Sequence, residues 1–513
     1  MTSSGAGEHS ARLLVRADGG RSIGSGHVVR SLTLAGHLKQ RGMHAVFAIR
    51  DDRGTLIDRI RSEGHDVLIL TGEVPSGSFL SGPWPTEAQQ SDVEQVISRS
   101  SSRYGAVIVD HYGLDAHWER GIRTLSDRVL AMDDLANRSH DVDVLVDHNW
   151  YGPDTSTRYD DLVPPSCVQL LGPRYAPLQA AYAEARARMP LSEIPPRRIL
   201  VSFGGSDPTG ETLKVVDALS APEFRDLAVD VVLGTGGLLT DQLRDAIDGR
   251  PGTTLHVALP TLADMLQNAD LSIGASGAAT WERACLGVPG LVTTTSEAHS
   301  GVTRALAAAG MTTWAGIGGE VTTTRYRELL HRIVAGEVGH PLPLVDGHGA
   351  ARVAEALRPS DASDLTIRTA TELDAPLFLG VDSGGPPDEP RQLDGPDAWL
   401  REEARFRVDM RRPDRVLLVA MLGAVQIGRV QARLTERTIE VSFILDDLVA
   451  GRGLGPRVGS YLRRARWSIR GEQLSYLGLP VGTLDEDSRG GINGVEPLFG
   501  STTVPAGSIV TET

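Results

Sequence analysis

The stretch from Arg16 to His27, Arg-Ala-Asp-Gly-Gly-Arg-Ser-Ile-Gly-Ser-Gly-His, joins a glycine-rich loop to a histidine. An apolar strand candidate, Leu13-Leu14-Val15, runs into it, and a helical pattern of Val28, Val29, Leu32, Leu34, Ala35 and Leu38 runs out of it. Such a loop lets backbone approach a ligand, and the N–H groups of the following helix start can receive an anion. Asp18 stands at the strand end, and Gly24, Ser25 and Gly26 form the loop rim. The dinucleotide fingerprint is excluded, because His27-Val28-Val29 follows Gly24-Ser25-Gly26 and the third glycine is missing. A histidine where the loop meets the helix faces whatever the loop holds, and imidazole chemistry suits proton transfer. The competing role for His27 is a capping or core histidine.

Other strand ends carry polar residues in the same manner: Asp110 and Tyr112, then Asp133 and Asp134, then Asn149. In open α/β sheets the carboxyl edge of the strands is the ligand edge. Two more loops resemble anion cradles. Gly204-Gly205-Ser206-Asp207 follows an apolar strand, and Ser276-Gly277-Ala278-Ala279-Thr280 opens a helix whose N–H groups and dipole suit a phosphate. Each alone is compatible with a plain turn; two in one sheet point to a diphosphate site. Glu282, in the first turn of that helix, is placed to accept from ribose hydroxyls. No GxxxxGK[ST] motif occurs, which argues against an NTPase.

These residues need a scaffold of strands and helices. Short, fully apolar strands alternate with helical stretches over residues 11–150, and a second alternation runs from Arg198 to Ala309. That pattern predicts parallel sheets covered on both faces. Residues 151–197, with Pro164-Pro165 and Pro195-Pro196, read as a crossover. The expected division is an irregular N-terminus (1–11), a Rossmann-like domain with the catalytic loop (12–180), a nucleotide-binding Rossmann-like domain (181–345), a linker (346–363), a third domain (364–483) and an irregular tail (484–513). At 513 residues and 41% apolar content the chain has ample material for several cores. Its formal charge of −15 argues against a nucleic-acid partner. Two distant cysteines, Cys167 and Cys285, offer no zinc site and fit a reducing cytosol. No apolar run approaches a membrane span, and the polar N-terminus lacks a signal-peptide core, so a cytoplasmic protein is expected.

Two such domains facing across a cleft describe the GT-B architecture. The stretches RADGGRSIGSGHVVR, VDHYGLD, DDLANR, LLGPRYAPL, FGGSDPTG and SGAATWERACLGVP follow one another in this order over about residues 12–335. In them the chain resembles the nucleotide-sugar hydrolases of pseudaminic acid biosynthesis, the UDP-2,4-diacetamido-2,4,6-trideoxy-β-L-altropyranose hydrolases, and the related spore-coat polysaccharide proteins. The resemblance implies that His27 is the catalytic base and that Tyr112 lines the same site. An Asn-Gln pair usual in those proteins falls here on Ala298 and His299, so His299 either substitutes for it or marks a different sugar.

From Leu365 the character changes. IRTATELD, the strand IEVSFILDD and the loop Gly451-Arg452-Gly453-Leu454-Gly455 together resemble the first part of a GNAT acetyltransferase. That resemblance implies acetyl-CoA, its pyrophosphate at Arg452, Gly453, Leu454 and Gly455, and N-acetylation of a UDP-4-amino sugar. Ala450 stands where the loop pattern usually opens with Gln or Arg, and the Gly/Ser/Thr-rich stretch after Leu484 predicts an incomplete domain with little catalysis.

The expected fold is therefore α/β and GT-B-like, with a partial GNAT-like α+β domain appended. The expected function is metal-free hydrolysis of a UDP-diacetamido-trideoxyhexose at its anomeric carbon, for surface-polysaccharide synthesis. A GT-B glycosyltransferase using the same donor is one alternative. A sugar-nucleotide-binding module feeding an N-acetyltransferase is the other.

Overall fold

The computed structural model describes residues 12–20, 25–50, 55–72, 75, 82–188, 196–234, 236–341, 344–379, 396–435, 438–449, 451–470, 473–479, 499–504 and 509–511. The chain divides into two units, Met1–Leu357 and Arg358–Thr513. The expectation of an irregular N-terminus falls on residues outside those described.

The first unit contains two parallel sheets. Strands β1 (Arg12–Ala17), β2 (His44–Ile49), β3 (Asp66–Ile69), β4 (Ala106–Asp110), β5 (Val129–Met132), β6 (Val144–Asp147) and β7 (Val168–Leu171) form one, ordered β3-β2-β1-β4-β5-β6-β7. Strands β8 (Arg198–Ser202), β9 (Ala228–Leu233), β10 (Thr253–Val257), β11 (Leu271–Ala275), β12 (Gly290–Thr294) and β13 (Thr313–Ile317) form the other, ordered β10-β9-β8-β11-β12-β13. Both are Rossmann orders, in which the chain reverses direction across the sheet between the first and fourth strands and opens a ligand crevice there. β4, β5, β6 and β11 are buried along their whole length, which explains why they read as apolar runs rather than alternating ones.

The helix Gly26–Gln40 follows the glycine loop and buries Val28, Leu32, Leu34, Ala35 and Leu38 against the first sheet. Residues 151–197 are more than a crossover, because they contribute β7 to the edge of the first sheet. The expected linker 346–363 is corrected too. Gly349–Leu357 is a helix that returns to the first half. Arg41 reaches Glu355 at 2.6 Å, and Arg352, paired with Asp346, donates to the Arg174 carbonyl at 2.9 Å.

In the second unit, β14 (Leu365–Thr369), β15 (Arg415–Leu422), β16 (Val425–Thr435), β17 (Thr438–Leu445) and β20 (Phe499–Thr503) make an antiparallel sheet. β17 alternates exposed and buried residues, with Ile439, Val441, Phe443 and Leu445 inward. A smaller sheet joins β18 (Arg466–Arg470), β19 (Gln473–Gly478) and β21 (Ile509–Thr511). The tail expected to be irregular thus supplies β20, paired with β17, and β21, paired with β18. Its residues 484–498 lie outside the described ones.

Candidate active site

Topology brings the first-half residues together. β1 pairs with β4 so that Ala17 lies beside Asp110, the last residue of β4. The helix after β1 therefore starts over the end of β4. His27 and Arg30, three residues apart, share the helix face that looks onto Asp110. His27 Nδ1 is 2.5 Å from Asp110 Oδ1. Arg30 donates to both Asp110 oxygens at 2.6 and 2.7 Å, and the Ser31 hydroxyl donates at 3.2 Å. Burial pushes the Asp110 carboxyl up, but Arg30 and His27 outweigh it and hold the group down to about 2. An ionised carboxylate only accepts, so His27 Nδ1 carries a proton, and in a neutral ring Nε2 is the nitrogen left with the lone pair. That is the arrangement of an oriented base.

The ends of β5 and β6 add a second layer. Arg30 also donates to Asp134 at 2.7 Å, and the Tyr112 hydroxyl donates to the same oxygen. Tyr112 and His27 stack edge to face, with ring centroids 4.5 Å apart. Asn149 bridges Asp134 and Asp147 through its amide nitrogen, at 3.0 and 2.9 Å. Burial raises the Asp134 carboxyl, yet Arg30, His148 and Tyr112 hold it well below the usual range. Burial and the Asp134 charge push Asp147 the other way, upward. Asp133 turns instead into the core, accepting from Tyr159 at 3.0 Å and from the Ala136 backbone at 2.9 Å.

In the second half, β11 runs into Ser276 and Gly277, and the helix Ala278–Cys285 starts there with no side chain capping it. Its first N–H groups are open to an anion. Ser276 is buried and its hydroxyl has no partner. Thr280 receives an Arg283 N–H at 3.3 Å, and the same guanidinium nitrogen donates to the Ala275 carbonyl at 2.9 Å. Glu282 begins the second turn rather than lying in the first, and it pairs with the Tyr182 hydroxyl.

Gly277 has φ +90°, and a methyl group on it would lie 2.7 Å from the His299 ring. Glycine is therefore required on two counts. Gly277→Ala is expected to destabilise the protein by roughly 1–3 kcal/mol, the usual cost of a forbidden backbone conformation. Urea unfolding checks this, and wild-type stability would contradict it.

The halves meet at these edges. A methyl group on Gly205 would lie 3.2 Å from the Ser25 hydroxyl, one on Gly301 would lie 3.4 Å from the Tyr151 ring, and the His148 and Trp281 rings are 6.3 Å apart. Gly26, Gly204, Gly205 and Ser206 are exposed along this rim, and Gly24 lies outside the described residues.

Two expected ligand residues are committed elsewhere. Asp18 is buried with its carboxylate on Arg16, on the Arg50 backbone at 2.7 Å and on His111 at 3.2 Å. Asp207 receives the Glu211 and Thr212 N–H groups, both at 2.9 Å, and so caps the helix Glu211–Leu219 with its own carboxylate. An anion is not needed at that helix start. The sequence alone assigns no role to Arg30 or His148; the three-residue spacing from His27 is the available sign of Arg30.

In the second unit, Gly453 (φ 69°) starts the helix Leu454–Arg464 without a side-chain cap, and Leu454 and Gly455 are buried. The Arg452 guanidinium donates to the Ser360 carbonyl at 2.9 Å. Ala450 lies outside the described residues. Among the described residues no group of His, Cys, Asp or Glu side chains could hold a metal ion, and no helix is long and apolar enough to cross a membrane.

Two Rossmann-type sheets whose crevice edges face each other define a GT-B protein. Its homologues include the spore coat polysaccharide biosynthesis protein SpsG of Bacillus subtilis, 27% identical over 353 residues that cover 67% of this chain and 96% of that protein. They also include the UDP-2,4-diacetamido-2,4,6-trideoxy-beta-L-altropyranose hydrolase of Campylobacter jejuni, 24% identical over 221 residues that cover 42% of this chain and 69% of that protein. No family model matches the chain. Among solved structures, UDP-GlcNAc 2-epimerase from Neisseria meningitidis aligns with TM-score 0.44 and 13% identity, over 67% of this chain and 99% of that one.

Proposed function

We propose that the first unit hydrolyses a UDP-diacetamido-trideoxyhexose in surface-polysaccharide biosynthesis, releasing UDP and the free sugar. The observation that carries this reading is the His27–Asp110 pair on one half together with the uncapped helix start at Gly277 on the other, where the His299 ring lies against Gly277 and within reach of the His27 charge. The homologues named for spore-coat polysaccharide synthesis and for nucleotide-sugar hydrolysis support it. His27 Nε2 takes a proton from water as the water oxygen bonds to the anomeric carbon. The bond from that carbon to the phosphate oxygen breaks, and its electron pair leaves with UDP. Asp110 stabilises the imidazolium, and the N–H groups after Gly277 receive the diphosphate.

The test is incubation with UDP-2,4-diacetamido-2,4,6-trideoxy-β-L-altropyranose in ¹⁸O-water with no acceptor alcohol. Release of UDP, with the label in the sugar alone, is expected. A glycosyltransferase shares the cleft but needs an acceptor, so absence of release without one overturns the hydrolase reading.

Glu282 is read as the ribose acceptor. Glu282→Ala is expected to weaken UDP binding by roughly 1–3 kcal/mol in calorimetry, the cost of unpaired buried polar groups. Unchanged affinity would place the ribose elsewhere. For the second unit the reading is acetyl-CoA binding at the Gly453 loop, supported by the sequence resemblance and by the uncapped helix that Gly453 starts.

A further inference from the structure

Among the described residues, three buried polar atoms on the facing edges have no hydrogen-bond partner: His299 Nδ1, Ser276 Oγ, and His148 Nδ1, which lies 3.9 Å from Asp134 Oδ1, beyond hydrogen-bond reach. Leaving a buried polar group without its hydrogen bond is costly, so groups left open together call for a ligand or water to fill them. These three belong to one place. Gly277, next to Ser276, sits against the His299 ring. Trp281, one turn further along the helix that Gly277 starts, meets the His148 ring edge-on. Both histidines experience the Asp134 and Arg30 charges, and His148 experiences His299. His148 comes from the first half, immediately after β6; Ser276 and His299 come from the second.

The chemistry of the three atoms narrows what they take. Burial, reinforced by Arg30, outweighs the attraction of Asp134 and lowers His148 to about 4; burial lowers His299 as well. Both rings are thus neutral at pH 7. A neutral imidazole nitrogen either donates or accepts according to its tautomer, and a serine hydroxyl does both. Phosphate oxygens only accept and carry charge, and a helix start serves them better. Two-way neutral groups match neutral two-way substituents, the hydroxyl and acylamino groups of a sugar.

We propose that His148, His299 and Ser276 form a subsite spanning both halves for the sugar ring of the bound nucleotide sugar, with His148 the specificity-determining residue contributed by the first half. This rests on the nucleotide-sugar reading given above. His148 lies beside Asp134, which shares Arg30 with the His27–Asp110 pair, so a ring held here lies next to the base.

The test is calorimetric titration of the full-length chain with UDP and with UDP-N-acetylglucosamine. Wild type is expected to bind the sugar nucleotide about tenfold or more tightly than UDP, as one or two recovered hydrogen bonds imply. His148→Phe keeps a ring on Trp281 and removes both nitrogens. It is expected to bind UDP within about twofold of wild type and to lose most of the sugar's advantage. His148→Gln restores a donor and an acceptor and should recover part of that advantage; it also decides the matter if the Phe variant unfolds. An undiminished advantage in both variants overturns the subsite, as does a wild type for which the sugar adds nothing. Failure of wild type to bind UDP at all is a different result, and it overturns the nucleotide-sugar reading together with the subsite.

Discussion

His27→Asn is expected to lower UDP release by roughly 10²–10⁴-fold, the range for removal of a general base, with UDP affinity and the unfolding midpoint unchanged. Asp110, held ionised by Arg30, accepts from Nδ1 and leaves Nε2 as the basic nitrogen. Asn can occupy the loop–helix junction but cannot take a proton there. Asp110→Asn should be nearly as damaging, because it frees the ring to flip and no longer stabilises the imidazolium. The two residues act as one device, so the double variant should be little worse than His27→Asn alone. Steady-state UDP release measures all three. Activity of His27→Asn within about threefold of wild type would remove His27 from the role.

Arg30→Ala should have the largest effect on stability. Arg30 is the cation between two buried carboxylates, Asp110 and Asp134, at 2.6–2.7 Å. Among the described residues, its removal leaves Asp110 with His27 and Ser31, and leaves Asp134 with the Tyr112 hydroxyl, the Asn149 amide and the nearby His148 ring. Breaking a buried ion pair on one side typically costs about 3–5 kcal/mol. Urea denaturation of the full chain should show a loss of that size. Arg30→Lys should be intermediate, since an ammonium supplies charge but not the fork that spans both acids. A loss under about 1 kcal/mol for Arg30→Ala would mean that the two acids are held by other groups or become protonated at little cost.

Much of this protein is legible in its sequence. The inner strands of both parallel sheets, among them β1, β4, β5, β6, β8 and β11, are buried over most or all of their length, so they read as short apolar runs. The helix start at His27 reads from its glycine loop, and the polar residues ending β4, β5 and β6 read from their position, because backbone periodicity is local. The edge strands β7 and β13 did not read as strands. Each is only partly buried, and its place is set by the strand beside it, β6 or β12. The helix Gly349–Leu357 has a helical pattern, but which half it packs on depends on Arg41, Arg128 and Arg174, all distant in sequence. β20 and β21 are short strands chosen by the unpaired edges of β17 and β18.

The same division runs through the site. Residue type made His27, Ser276, Thr280 and Glu282 candidates. Only the tertiary structure decided that Asp18 is tied up with Arg16 and His111, and that Asp207 caps its own helix. Only the tertiary structure also brought His148 to Trp281. A side chain's chemical capacity belongs to the residue; whether that capacity is already used depends on partners from other strands and helices, which local sequence does not contain.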